Sequence, residues 1–123
     1  MRPRQSVLLV ICLFAGTFFT AGRAVAHAIL LESTPAANSS VVGPDIPIKL
    51  RFNVRIDATR SRITLVRPDA SVQTLVISKS TSADILATQA QGLTPGEYRI
   101  RWQALASDGH ITRGEIPFQA ARP

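Results

Sequence analysis

Ile46-Pro47-Ile48-Lys49-Leu50-Arg51-Phe52-Asn53-Val54 alternates without a break. Ile46, Ile48, Leu50, Phe52 and Val54 fall on one side, and Pro47, Lys49, Arg51 and Asn53 on the other. A period of two with one apolar face is the pattern of a half-buried β-strand. Proline cannot donate to a ladder, so the Pro47 end is expected at an edge. Outward from this stretch the same period recurs. Tyr98, Ile100, Trp102 and Ala104 alternate with Arg99, Arg101 and Gln103, and Ile116 and Phe118 share one face of a last strand over Ile111–Ala120. Ser61–Arg67 and Val72–Ile77 flank the turn Pro68-Asp69-Ala70-Ser71 and read as a hairpin. Ala28–Ser33 and Asp84–Ala90 supply two more candidates. Between the strands lie turn signals: Thr34–Ser40, Gly43-Pro44-Asp45 and Leu93-Thr94-Pro95-Gly96-Glu97. Nowhere does a 3.6-residue period persist. The expectation is an all-β Greek-key β-sandwich of about seven strands.

Residues 1–26 do not fit this domain. Arg2 and Arg4 are followed by an apolar run of 13 residues, Val7–Phe19, and then by small residues ending Ala24-Val25-Ala26. That is the layout of a secretory signal peptide. A membrane anchor is the competing reading, but a span needs about 20 apolar residues. Cleavage after Ala26 makes His27 the first residue of the processed chain, whereas cleavage after Ala28 discards it. The expected division is a signal peptide over 1–26 and one β domain over 27–123, exported across the membrane and not embedded in it after processing.

Without the leader the chain holds no cysteine and no methionine, since Cys12 and Met1 both lie within it. No disulfide therefore staples the domain, and no soft sulfur ligand is available to select Cu(I). The formal charge of +6 includes Arg2, Arg4 and Arg23, so the processed chain is +3. Its arginines are spread along candidate strands with no nucleic-acid-binding motif among them, so solvated strand faces are expected and no nucleic-acid partner.

His27 and His110 are the only two histidines. His110 ends Ser107-Asp108-Gly109-His110, where the chain breaks between two strands. An N-terminal histidine offers an α-amine and a ring Nδ1 that chelate one ion, and the amine titrates near 8, low enough for a metal to displace its proton. Residues two apart in extended chain point the same way, so Asp108 and His110 can aim at one ion. Three nitrogens and a carboxylate oxygen suit Cu(II). Asp-Gly is also an ordinary turn dipeptide, and spacing alone does not show that positions 27 and 110 meet.

The processed sequence resembles the CopC family of periplasmic copper-resistance proteins. The likeness rests on His27-Ala28, Ser33-Thr34-Pro35-Ala36, Leu50-Arg51-Phe52, Leu93-Thr94-Pro95-Gly96-Glu97-Tyr98-Arg99-Ile100, Trp102, Ser107-Asp108-Gly109-His110, Gly114 and Phe118. It implies a cupredoxin/immunoglobulin-like Greek-key sandwich or barrel whose first and last strands lie close. It also implies metal ligation by His27, Asp108 and His110, one Cu(II) per chain, and an inner-membrane copper transporter of the CopD type as a partner. Two departures stand out. Family members often carry Ser-Glu-Pro where this chain has Asn53-Val54-Arg55, and proline after the site histidine where this chain has Ile111.

The expectation is therefore a periplasmic Cu(II)-binding protein for sequestration, resistance or delivery, and not an enzyme. Two alternatives compete with it. A copper monooxygenase-like enzyme also uses an N-terminal histidine, but the chain is short and only 6% aromatic. A metal-free exported adhesion or assembly module would not need His27 at its terminus.

Overall fold

The computed structural model describes residues 27–80 and 82–122; the expected signal peptide lies outside them. Among the described residues eight strands form: β1 Leu30–Thr34, β2 Ser39–Val42, β3 Ile46–Phe52, β4 Arg62–Val66, β5 Val72–Leu75, β6 Ile85–Ala90, β7 Gly96–Leu105 and β8 Ile111–Ala121. One 3₁₀ turn, Ala58–Arg60, precedes β4, with the Asp57 carboxylate capping it by accepting from Thr59. Two sheets result, one ordered β1-β3-β6 and the other β2-β8-β7-β4-β5. They pack as a sandwich and not as a closed barrel. No helix among the described residues is long and apolar enough to cross a membrane.

The alternating stretch behaves as its pattern demands. Ile46, Ile48, Leu50 and Phe52 are buried, while Pro47 and Lys49 are exposed. β1 pairs with β3 only as far as Thr34↔Lys49, so Pro47 has a neighbour on the β6 side alone. The missing N–H thus sits where a ladder is incomplete.

The strand count and one adjacency differ from expectation. Ser39–Val42, partly read as loop, is a strand paired in parallel with β8 from Ser39↔Phe118 to Val42↔Ala121. It is short and begins with two serines, so backbone pairing forms it without an apolar alternation to announce it. The first and last strands are consequently not neighbours: β1 lies in one sheet and β8 in the other.

Both sheets contribute to one core. Phe52 meets Trp102 edge to face at 5.1 Å, and Tyr98 stacks on Phe118 at 5.3 Å. The Tyr98 hydroxyl turns back on its own loop, donating to the Thr94 carbonyl at 2.8 Å and accepting from the Thr94 N–H at 2.9 Å. This corner satisfies a buried phenol and pins the entry to β7. Gly114 lies opposite Trp102 in the β7–β8 ladder, and a Cβ there would come within 2.4 Å of the indole. Only glycine lets the ring lie flat against β8.

Candidate metal centre

Two arms converge at one pole of the sandwich. The first is the lead-in to β1. Ala28 is 1% exposed and anchors it. The Ile29 N–H donates to Asn53 Oδ1 at 2.7 Å, and the Asn53 N–H donates back to the Ile29 carbonyl at 3.1 Å. His27, one residue before the anchor, is exposed.

The second arm is the loop between β7 and β8, whose last ladder pair is Leu105↔Ile111. The Gly109 N–H donates to the Ala106 carbonyl and the Ala106 N–H to the His110 carbonyl, both at 2.9 Å. Gly109 has φ +91°, a region costly for any residue with a Cβ. Asp108 Oδ1 accepts the His110 N–H at 3.1 Å, an Asx turn. Asp108 Oδ2 lies 3.1 Å from His110 Nδ1. The His110 backbone N–H, the largest effect, holds the Asp108 carboxyl below the usual carboxylate range against the opposing effect of desolvation, and the imidazole adds to the lowering.

The segment leaving β3 ties the arms together. Asn53 clamps Ile29, and two residues on, the Arg55 carbonyl accepts the Ser107 N–H at 3.1 Å. Ile56 then bridges Ala106. One short strut therefore holds both histidine-bearing arms.

The outcome is that His27 and His110, 83 positions apart in sequence, present their rings 5.7 Å centroid to centroid at an interplanar angle of 72°. A metal–imidazole bond of about 2.0 Å puts each ring centroid roughly 3 Å from the ion, so two ligating rings stand roughly 4.5–6.5 Å apart. The observed separation lies inside that range. Asp108 is brought to His110 directly. Among the described residues no three His, Cys, Asp or Glu side chains are already gathered as a finished metal cage. Asp108 and His110 are instead hydrogen-bonded to each other. A carboxylate oxygen keeps a lone pair after accepting one hydrogen bond, so this pairing does not exhaust Asp108 as a donor to a cation.

Asn53 is the contributor that sequence reasoning missed. It stood only as a departure from Ser-Glu-Pro, and an asparagine on the polar side of a strand end carries no signal of its partner.

A β-sandwich with two surface imidazoles and a carboxylate at one pole defines a class of small β domains. The particular family follows from comparison: the CopC domain model matches residues 30–121, and the chain belongs to that family. The match includes Asp108 and His110 and begins three residues after His27. Copper resistance protein C of Pseudomonas syringae pv. tomato is 29% identical over 117 residues, covering 89% of this chain and 92% of that protein. The crystal structure of CopC from Methylosinus trichosporium OB3b superposes with a TM-score of 0.70 at 25% identity, over 78% of this chain and 95% of that one. Copper transport protein CutJ of Bacillus subtilis (strain 168) is 24% identical over 100 residues, 79% of this chain but 18% of that longer protein. Family membership assigns the chain a copper-related role rather than an enzymatic one.

Proposed function

We propose that the processed chain is a periplasmic Cu(II)-binding protein that carries one ion per molecule and passes it to a membrane copper transporter. The observation that carries this reading is the approach of His27 to His110 with Asp108 against the latter. Removal of a signal peptide after Ala26 frees the His27 amine, which joins its own Nδ1 in a chelate. His110 would offer an imidazole nitrogen, and Asp108, once released from its hydrogen bond to the His110 ring, would add an oxygen that offsets part of the ion's charge. Nitrogen and oxygen donors without sulfur favour Cu(II). Export follows from the leader. Delivery to a transporter of the CopD type is supported by the match to part of a copper transport protein.

Cu(II) titration of the processed protein followed by EPR tests the assignment. One equivalent with a tetragonal, nitrogen-rich spectrum is expected. Wild-type affinity in either His27→Ala or Asp108→Ala would refute the ligand set.

A further inference from the structure

The outer face of the five-stranded sheet carries a charge pattern unconnected with the copper site. Cross-strand register places Arg62, Gln103 and Arg113 in one row, Thr64, Arg101 and Glu115 in the next, and Val66, Arg99 and Pro117 in a third. Arg62, Arg99, Arg101 and Arg113 are all exposed. Glu115 is shared between Arg101 at 2.7 Å and Arg99 at 4.0 Å, and Glu97 stands beyond the third row. Arg113 donates to Gln103 at 3.0 Å, which positions its guanidinium without neutralising it. A shallow depression lies among Arg62, Arg101, Gln103 and Arg113. In sequence these arginines look dispersed; the ladder collects them on three neighbouring strands.

We propose that this face docks on the anionic phosphate headgroups of a lipid bilayer. The pattern favours lipid over a folded acidic partner. Protein interfaces are centred on buried aromatic or aliphatic anchors; here Phe52, Tyr98 and Phe118 are turned into the core, and Trp102, only 7% exposed, reaches the floor of the depression without projecting from the face. What the face offers instead is the guanidinium forks of Arg62 and Arg113, which no carboxylate of the described residues pairs, beside Arg99 and Arg101, which share Glu115; the guanidinium is the group whose geometry matches phosphate bidentately. Adjacent strands lie about 4.8 Å apart and alternate residues about 6.7 Å, so several headgroups can be met at once. The first row is followed by the Leu105↔Ile111 pair, and Ile111 is 49% exposed beside the His110 loop. The metal pole therefore lies at the rim of the docking face and stays accessible when the face is occupied.

Co-sedimentation of metal-free protein spanning residues 27–123, which contain the whole described core, tests this without reference to copper. Vesicles of phosphatidylcholine containing phosphatidylglycerol should bind it at low ionic strength, and pure phosphatidylcholine vesicles should not. Binding should fall as salt shortens the Debye length. Each arginine near an anionic surface is worth about fivefold in partitioning, so the double variant R62Q/R113Q should bind about 25-fold more weakly. At about 0.1 M salt, where the Debye length is about 10 Å, the control K49Q/K79Q, which removes the same charge elsewhere, should weaken binding clearly less than R62Q/R113Q does. No binding to the anionic vesicles, or equal weakening in the control, overturns the proposal. Capture of a polyglutamate peptide through Arg62 and Arg113 without vesicle binding would assign the face to an acidic protein and overturn it equally.

Discussion

Replacing Asn53 by alanine isolates the strut that aligns the two histidine arms. Asn53 Oδ1 accepts the Ile29 N–H at 2.7 Å, two residues from His27. The reciprocal bond from the Asn53 N–H to the Ile29 carbonyl is backbone and survives the substitution. A hydrogen bond of this kind is worth about 0.5–1.5 kcal/mol net. Its loss falls on the ordering of residues 27–29 rather than on the core, because Ala28 and the β1–β3 ladder remain. If copper binding requires the ordered arm, the apparent affinity drops by the same free energy, about two- to twelvefold. Competitive Cu(II) titration against a chelator reads this change, and amide exchange at Ile29 reads its cause. Asn53→Asp keeps an acceptor at the same place and should stay near wild type. Unchanged affinity in Asn53→Ala, or equal weakening in Asn53→Asp, would refute the strut.

Gly114→Ala drives a Cβ to within 2.4 Å of the Trp102 ring; overpacking of this kind costs about 1–3 kcal/mol, read as a lower denaturant midpoint by Trp102 fluorescence. Acid should destabilise the metal-free fold through Asp57 and Asp69, whose carboxyls are held below the usual range chiefly by the Thr59 and Ser71 hydroxyls respectively. A depressed folded pKa contributes stability above the unfolded value and loses it as pH falls through the folded one. The thermal midpoint should therefore stay level on the neutral side of pH 5 and drop below about pH 4, and Asp57→Asn should flatten that drop.

The strands that sequence revealed are those with one face in the core. Ile46–Phe52 and Tyr98–Ala104 alternate because each inward side chain meets the opposite sheet. β2 escaped because its pairing with β8 is backbone to backbone and its first residues are polar. At the candidate site, His27, Asp108 and His110 could be named from donor chemistry and family resemblance. Their meeting could not be read from spacing, since it depends on Asn53 and the Arg55 carbonyl holding two arms that are remote in sequence. The arginine face was hidden for a related reason: Arg62, Arg101 and Arg113 become neighbours only through register.

If proteolysis completes the copper site, the fate of the His27 nitrogen decides the matter. Cu(II) affinity should be compared between a chain beginning at His27 and one retaining Ala26, which keeps both imidazoles and Asp108 but converts the amine to an amide. Loss of groups that merely orient metal ligands costs 10–100-fold, so loss of a ligand itself should reach about 100-fold or more. Equal affinity in the two chains would contradict a site built by cleavage.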